Sequence, residues 1–338
     1  MTTMKEVAKA AEVSVTTVSH VINRTRYVSD ELRQRVRQAM HDLNYRPNTL
    51  ARSLRQGITN TIGLVVPDNS NPFFAEVARV VETRGFEHGY SSILCNTDGQ
   101  PDKELTYISM LLAKQVDGII LISTSGESEF VGLISDQRVP VVIADRQLLD
   151  CDADIVLVDN YRGGRLATEH LLSLGHVRIG ILTGPSNTSP SADRVHGHID
   201  ALSAAGLAID DALIVRGDFR YGSVASQTHQ LLELEQPPTA IFACNDVMAM
   251  AAMAAIRERG LDVPRDVSVV GFDDIPQASF TWPPLTTVAQ PIEELGRVAT
   301  DLLLQRMSED RLGSGERVML DVKLMVRGSS GPKRQSND

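Results

Sequence analysis

The chain has 338 residues, of which 42% are hydrophobic, and a net charge of −10. This length allows two or three domains with a sizeable core, and no apolar run approaches the ~18 residues of a membrane-spanning helix. The three cysteines, Cys95, Cys151 and Cys244, are widely spaced, which argues against disulfides or a zinc site and is typical of a reducing cytoplasm.

Positive charge is concentrated at the start of the chain. Residues 1–60 contain ten Lys and Arg but only five Asp and Glu, a net charge of +5, and the remainder carries −15. A basic head on an acidic body is typical of a DNA-binding module attached to a domain that does not bind DNA.

The first stretch predicts a helix-turn-helix. Apolar residues recur at helical spacing in two short groups, Val7, Ala8 and Ala11, then Val15, Val18, Val21 and Ile22. The break lies at Glu12–Ser14, where the Ser14 hydroxyl is a suitable N-cap. The second helix of such a pair enters the major groove, and its exposed face would carry Thr16, Thr17, Ser19 and His20. The alternative for this stretch alone is an ordinary helical hairpin.

A third helix and a possible hinge follow. The helix is predicted over Asp30–Leu43, with Ser29 as its N-cap, and packs through the apolar stripe Leu32, Val36, Ala39, Met40 and Leu43. Residues 48–57 are too few for a stable isolated helix. They predict either a plain linker or a hinge helix that forms only on DNA, with Leu54 as a wedge in the minor groove.

From Thr61 onward, strand and helix patterns alternate. The predicted strands are Ile62–Val66, Ser91–Cys95, Gly118–Ile122, Val141–Ala144, Ile155–Val158, Ile179–Thr183, Ile214–Val215, Ala240–Cys244 and Val267–Phe272. The predicted helices are 73–88, 102–115, 161–174, 191–205, 221–234, 246–259 and 291–307. Short β-branched runs joined by helices indicate parallel sheets.

So many strands favour two sheets in sequence, dividing near Asp159. Thr286–Val288, helix 291–307 and a strand Val318–Val326 would cross back and complete both sheets. The fold class is therefore α/β, a helix-turn-helix headpiece plus a body of two parallel-sheet subdomains with a ligand cleft at the strand ends. The expected divisions are 1–46 for the headpiece, 47–60 for the hinge, 61–159 plus 289–318 for the N-terminal subdomain, 160–288 plus 319–328 for the C-terminal subdomain, and 329–338 for a disordered tail.

Polar and aromatic side chains follow the predicted strands and would converge in that cleft. They are Asn71, Phe73, Phe74, Asp145, Arg146, Arg194, Phe219, Asn245, Asp273 and Gln290. Planar polar groups can bind vicinal hydroxyls and rings can stack on the C–H faces of a sugar, so the set predicts a small neutral polyol. Taken singly, an Asp or Asn after a strand is more often a helix cap. No motif of a nucleophile, phosphate loop or metal site is present, so we expect no enzyme, metal or cofactor.

These residues resemble the LacI/GalR (lactose-repressor) family of bacterial transcription regulators over essentially the whole chain. The motifs that carry the resemblance are VSVTTVSHVIN, LNYRPN, ARSL, IGLVVPD, NPFF, KQVDG, LGHVRIGILTGP, PPTAIFACNDVMAMAA, VPRDVSVVGFDD and PPLTTVAQP. TTVSHVIN and LARSL are most similar to the ribose and purine repressor types. The resemblance implies a periplasmic-binding-protein-like body and a homodimeric repressor on operator DNA in the bacterial cytoplasm, at the nucleoid.

The resemblance also implies roles for individual residues. Val15, Thr16 and His20 would read operator bases, and Thr17 and Ser19 would contact phosphate. Leu54 matches the family's intercalating hinge leucine. Further DNA contacts would come from Thr3, Ser14, Asn23, Arg24, Arg26, Tyr45, Asn48, Ala51, Arg52 and Arg55. Val15 is apolar where the family often has a polar residue, so it would meet a thymine methyl.

The ten cleft positions resemble the sugar contacts of ribose-binding proteins, which implies ribose as the effector. A purine, a nucleoside or a hexose remains an alternative within the family. A solute receptor for transport would share the body, but it would have a signal peptide instead of a helix-turn-helix.

Overall fold

The computed structural model describes residues 2–23, 26–45, 58–123, 139–147, 153–309 and 315–334. The chain forms two compact units, Met1–Thr59 and Asn60–Asp338. Within the described ranges, no helix is long and apolar enough to cross a membrane.

The described residues of the first unit form three helices, α1 (Met4–Ala10), α2 (Val15–Asn23) and α3 (Asp30–Asp42). Their starts are capped by side chains, because the first backbone amides of a helix have no partner within it. The Ser14 hydroxyl accepts from the Thr17 amide at 3.0 Å, and Ser29 caps α3. Both predicted caps are therefore confirmed.

The apolar stripes of the three helices meet in one small core. Its buried members are Val7, Ala8, Ala11, Val18, Val36 and Ala39. Val15 was expected in the stripe but is 41% exposed, because as the first residue of α2 it lies at the end of the stripe, outside the cluster. Leu32, expected in the stripe of α3, is only half-buried and also lies outside it.

The second unit alternates strands and helices as expected. Its strands are β1 (Thr61–Val66), β2 (Ser91–Asn96), β3 (Gly118–Leu121), β4 (Val141–Ala144), β5 (Asp154–Val158), β6 (Ile179–Thr183), β7 (Ile214–Arg216), β8 (Ala240–Ala243), β9 (Ser268–Asp273), β10 (Thr286–Ala289), β11 (Arg317–Leu320) and β12 (Lys323–Met325). The helices in the ranges that the structure describes are α4 (Pro72–Glu87), α5 (Pro101–Ala113), α6 (Asn160–Ser173), α7 (Ser189–Ala204), α8 (Val224–Leu232), α9 (Asp246–Glu258) and α10 (Ile292–Glu309).

The strands form two separate six-stranded sheets. The first lobe has the order β11-β5-β4-β3-β1-β2 and the second has β12-β10-β9-β8-β6-β7. Pairing is parallel except between β10 and β12. The helix α10 contacts α4 and strands β3 to β5, so it belongs to the first lobe although β10 before it belongs to the second. The predicted two-sheet body is therefore confirmed.

Three differences from the sequence prediction affect the division between the lobes. The expected single strand Val318–Val326 is two strands, β11 and β12, because the chain changes sheets at Asp321 and Val322. Ala289, expected in the N-terminal subdomain, is the last residue of β10 in the second lobe. Conversely, residues 319–320 pair with β5 in the first lobe.

The expected disordered tail is wrong for residues 329–334. The Ser329 side chain is fully buried, and its hydroxyl donates to the carbonyl of Val269 at 2.7 Å. The Gly331 amide donates to the Ser268 hydroxyl at 3.1 Å. These bonds satisfy polar groups at the start of β9, so the segment is part of the second lobe.

Candidate functional site

The predicted DNA-reading surface lies on α2 of the headpiece. Val15 and Thr16 are exposed, and Thr17, Ser19 and His20 are half-buried. The Ser14 and Thr17 hydroxyls lie 2.9 Å apart, and the Asn23 amide donates to Ser19 at 3.1 Å. Short hydrogen-bonding groups thus share one helix face with an exposed methyl-bearing side chain, a combination that can meet base edges and phosphates in the major groove.

The other predicted DNA contacts divide into three groups. Thr3 forms a capping box with Glu6, whose carboxylate accepts from the Thr3 amide at 2.7 Å. Arg26 is exposed, and Tyr45 is half-buried against the headpiece core. Six positions lie outside the described residues: Arg24, Asn48, Ala51, Arg52, Leu54 and Arg55.

The ten predicted cleft residues line one cavity in the second unit, together with Pro190. Each lies at or beyond the carboxyl end of a strand of one lobe or the other. The free volume is about 20 Å³, which is room for about one water molecule. The side chains therefore nearly fill the cleft, and a larger guest needs the two lobes to separate.

Two of these residues are also helix caps, as expected for a single Asp or Asn that follows a strand. The Asn71 side-chain oxygen accepts from the Phe73 amide at 3.0 Å, and that of Asn245 accepts from the Met248 amide at 2.8 Å. The Asn245 side-chain nitrogen also donates to the Phe219 carbonyl at 2.9 Å. Capping fixes both side chains at the cleft wall, so the structural role and a binding role do not exclude each other.

Three cleft residues have backbone angles that favour glycine. The φ angles are +66° at Asp145, +64° at Phe219 and +116° at Asp273. Such values are uncommon for residues with a side chain and cost free energy. Each of them turns the chain sharply beyond a strand end, which aims the side chain into the cleft.

Arg194, one turn into α7, is the most constrained charge of the cleft. Its side chain is 4% exposed and lies 3.8 Å from the Asp273 carboxylate. Its Nε donates to the Asn160 side chain at 2.8 Å, and its Nη1 donates to the Cys244 carbonyl. The guanidinium lies 3.6 Å from the centre of the Phe272 ring. A guanidinium fixed in this way loses little conformational entropy when it binds a ligand.

A second pair of charges comes from the first lobe. Asp145 and Arg146 lie 3.8 Å apart and are both buried. The Arg146 Nη1 donates to the Ser123 carbonyl, and the Ser123 hydroxyl donates to the buried Glu104 carboxylate at 2.9 Å. Glu104, on α5, therefore helps to hold Arg146 in position through Ser123.

Burial makes the carboxyl groups of the cleft easy to protonate. Burial raises the pKa of Asp273 to about 7, although Arg194 and a hydrogen bond from Gln290 act in the opposite direction. Burial also raises the pKa of Asp145. Among the described residues, Asp145 Oδ1 and Gln290 Oε1 are buried acceptors without a hydrogen-bond partner. Unsatisfied buried acceptors are costly, and a ligand with hydroxyl donors would satisfy them.

Aromatic rings complete the walls. Phe73 and Phe74 pack edge to face with centroids 5.0 Å apart, and Phe219 lies 5.7 Å from the Arg194 guanidinium. A Cβ on Gly184 would lie 2.2 Å from the Phe219 ring, so only glycine leaves room for that ring. Polar groups beside ring faces form a surface suited to a sugar.

Sequence reasoning missed Pro190, Asn160 and Gly184. Asn160 opens α6 directly after β5, the same strand-end position that identified the other residues, so that signal could have found it. Gly184 follows β6 immediately. In the part of the chain that the structure describes, no group of three or more His, Cys, Asp or Glu side chains could hold a metal ion.

Comparisons with protein families match both units. "Bacterial regulatory proteins, lacI family" matches residues 3–48, and "Periplasmic binding proteins and sugar binding domain of LacI family" matches residues 59–325. The chain is 41% identical to the ribose operon repressor of Escherichia coli (strain K12), covering 98% of this chain and 100% of that protein. It is also 41% identical to the transcriptional repressor PurR of Aliivibrio salmonicida, covering 91% and 93% respectively.

Solved structures show the same architecture. A lac repressor dimer bound to operator and the anti-inducer ONPF superposes with a TM-score of 0.87 at 30% identity, covering 98% of this chain and 99% of that one. A LacI family transcriptional regulator from Enterococcus faecium with bound ribose gives a TM-score of 0.75 at 31% identity, covering 81% and 100%.

Proposed function

The chain belongs to the LacI family of bacterial regulatory proteins, and on that premise we propose that its effector is ribose, bound in the cleft between the two lobes. Membership makes the chain a DNA-binding transcriptional repressor with a sugar-binding domain rather than an enzyme. The identity of the sugar and its residue contacts are the proposal.

The chemistry of the cleft carries the choice of a polyol. Arg194 and Arg146 offer donors, and Asp145, Asp273 and Gln290 offer acceptors, all of them buried. Each sugar hydroxyl is both donor and acceptor, so vicinal hydroxyls can bridge such neighbours. The Phe rings can stack on the apolar C–H faces of a pentose ring.

Ribose is favoured among polyols by two relatives of stated function. One is named a ribose operon repressor, and one solved regulator holds ribose. The PurR relative keeps a purine as the second candidate. A purine would favour aromatic stacking with fewer hydroxyl-directed side chains than this cleft contains.

The proposed mechanism is release from DNA by sugar binding. A guest held by both lobes favours one relative position of the lobes, which differs from the position that operator binding favours. That difference is a coupling free energy between two sites, typically ~1–3 kcal/mol, and it is reciprocal.

The mechanism assigns roles to the divisions of the chain. Residues 1–46 read the operator and residues 47–60 form the hinge. The N-terminal subdomain comprises 61–159 and 289–318 and the C-terminal one 160–288 and 319–328, adjusted at their ends by the strand bounds above. Operator DNA also sets the location, the bacterial nucleoid in the cytoplasm.

We further propose a homodimer, because two headpieces match a palindromic operator. Phe280 and Trp282, two residues apart in the second lobe, are 86% and 83% exposed. Large exposed aromatic side chains of this kind are typical of protein interfaces. A second copy of the chain would cover them.

Loss of the cleft charges should uncouple the repressor from ribose. We expect Arg194→Ala and Asp273→Ala to bind operator DNA with unchanged affinity but to lose ribose-induced release, because each removes charged hydrogen bonds of ~1.5–3 kcal/mol. Gel-shift titrations with and without ribose measure both properties. The exposed Arg257→Ala on α9, outside the cleft, is the matched control. Normal release in either cleft variant would contradict the site.

Loss of the hinge wedge should reduce specificity. We expect Leu54→Ala to weaken binding to the operator far more than to random DNA, because unstacking at one base step is compensated only in the specific complex. Competition gel shifts with operator and random duplexes compare the two. Equal losses on both would rule out the wedge.

A thermal-shift screen distinguishes the candidate effectors. A true ligand at 100 times its Kd stabilises the folded protein by ~2.7 kcal/mol. Ribose should therefore raise the melting temperature more than hexoses, nucleosides or purines at equal concentration. A larger shift with a purine would replace ribose as the effector.

A further inference from the structure

A second cavity lies in the second lobe, at the opposite end of β6 from the cleft. The cleft begins beyond Thr183, whereas this cavity is lined by Ile179 at the start of the strand, and the strand spans about 13 Å. Its volume is about 190 Å³. An apolar cavity of about 150 Å³ is known to bind benzene, so this one can hold a molecule of one or two rings.

The walls of this cavity are mostly aliphatic. Leu202 on α7, Leu213 and Ile214 line it together with Ile179. Val177 and Ile209, which also line it, are 56% and 38% exposed and form an apolar rim. Solvent therefore reaches the cavity past apolar side chains, which favours an apolar guest.

One polar group of the wall is buried and has a free acceptor. His198 on α7 lines the cavity and is 1% exposed. The Thr168 hydroxyl donates its only hydrogen to the Gly164 carbonyl at 2.8 Å. It must therefore accept from His198 Nδ1, 2.9 Å away.

The second ring nitrogen is consequently an acceptor. Burial lowers the pKa of His198 to about 4, so the ring is neutral near pH 7 and Nε2 keeps its lone pair. Within the described ranges, the Thr168 hydroxyl is the one hydrogen-bond partner of this side chain. A ring nitrogen with a lone pair and no protein donor can accept a hydrogen bond from a guest in the cavity that His198 lines.

The charges at the wall cancel. Arg178 and Asp210 line the cavity and form an ion pair at 2.9 Å. Neither charge requires a counterion from a guest. A charged ligand would lose its hydration against aliphatic walls without compensation, so the cavity selects a neutral one.

We propose that this cavity is a second ligand site, which binds a small neutral aromatic molecule through one N–H or O–H donor to His198 Nε2. A rigid ring system fills the space at little entropic cost. Additional polar groups on the guest would remain unsatisfied against Leu202 and Leu213. Sugars are therefore excluded from this site, which distinguishes it from the cleft.

Indole and 1-methylindole test the proposal, because they differ chiefly in the N–H donor. Isothermal titration of the full-length protein should show saturable indole binding, and 1-methylindole should bind at least ~10-fold more weakly, the effect of about one hydrogen bond. No indole binding, or equal binding of the two compounds, would overturn the proposal.

Two variants locate the binding. Ala208→Trp places a large side chain at the exposed edge of the cavity and should abolish indole binding. Ala225→Trp, exposed on α8 and outside the cavity, should leave it unchanged. His198→Phe should remove the preference for indole over 1-methylindole. Indole binding that survives Ala208→Trp would place the compound elsewhere and refute the site.

Discussion

At the scale of single residues, the cleft depends on charges that have been removed from water. Arg194 and Asp273 are each 3% exposed, and Asp145 and Arg146 are 4% and 7% exposed. Burial of four ionisable groups is unfavourable unless they are paired and hydrogen-bonded. The Asn160 side chain and the Cys244 carbonyl provide those bonds for Arg194. The charged side chains of the cleft are therefore held in fixed positions before a ligand binds, and their burial lowers the stability of the folded protein.

Asp273 should make ribose affinity depend on pH. Its pKa is about 7 in the empty cleft, and sugar hydroxyls donate more strongly to the ionised form. Binding thus releases a proton, and the affinity should rise from pH 6 to pH 8, with a limiting slope of about tenfold per pH unit below pH 7. Titration calorimetry in buffers of different ionisation enthalpy measures both effects.

The groups that face Asp273 sharpen this test. They are Arg194, Gln290, Asp145 and Asp246, and burial also raises the pKa of the two other carboxyls, Asp145 and Asp246. Asp273→Asn should bind ribose more weakly but with a flatter pH profile. Affinity that increases as the pH falls would contradict the role of the ionised carboxylate.

The raised pKa of Asp273 also affects the stability of the ligand-free protein, and this stability falls as the pH rises. A carboxyl whose pKa is higher in the folded than in the unfolded state binds its proton more tightly when folded. The stability that Asp273 contributes in this way is complete at acid pH and is lost as the pH rises through 7. Because ribose affinity should rise with pH, ribose should stabilise the protein most at alkaline pH.

At the scale of secondary-structure elements, α6 and α7 are joined unusually closely. A Cβ on Gly197 would lie 2.1 Å from the Tyr161 carbonyl oxygen, and one on Gly164 would lie 2.2 Å from the Arg194 carbonyl oxygen. Both obstacles are backbone atoms, which cannot rotate away. The two glycines therefore let α7 approach α6, and this contact positions Arg194 beside Asn160.

Gly197→Ala should separate these helices. We expect it to lower the free energy of unfolding by ~1–3 kcal/mol, the usual cost of overpacking, and to weaken ribose binding by displacing Arg194. Gly222→Ala is the control, because nothing lies within 4 Å of its Cβ position. Denaturant unfolding of both variants measures the difference. Equal stability of the two would show that the helices adjust without cost.

Elements with a strong local signal were predictable from sequence. The break between α1 and α2 follows from the periodicity and the Ser14 cap, and the parallel strands follow from short β-branched runs between helices. The split of Val318–Val326 into β11 and β12 was hard to predict, because the run has no Gly or Pro, the single Asp321 is a weak turn signal, and the change of sheet depends on distant partners. The ordered tail near Ser329 likewise depends on β9, far away in sequence.

The gathering of the ten cleft residues was predictable for a topological reason. The carboxyl ends of parallel strands lie at one edge of each sheet, so residues just beyond them share a neighbourhood. The role of Glu104 was not, because it acts on Arg146 through Ser123 and depends on helix packing. Local sequence patterns thus identify the residues that line the site, but not a residue such as Glu104 that holds one of them in position.

At the scale of the whole molecule, the chain passes between the lobes three times. It crosses after β5, after β10 and between β11 and β12. Three parallel connections permit a hinge motion of the lobes while restricting other movements. Since the free volume of the cleft is only about 20 Å³, the sugar must enter an opened form, and its binding favours closure.

At the same scale, Phe280 and Trp282 should control the proposed dimerisation. We expect the double substitution Phe280→Ser with Trp282→Ser to prevent dimerisation, because it removes two large exposed aromatic side chains of the second lobe. Light scattering should then give the 36.9 kDa of one chain instead of the mass of a dimer. Operator affinity should fall steeply, since one headpiece then holds one half-site, whereas ribose binding should persist because the cleft lies within one chain. Met319→Ser, 57% exposed on β11, is the matched control and should remain dimeric. A double variant that stays dimeric would place the interface elsewhere.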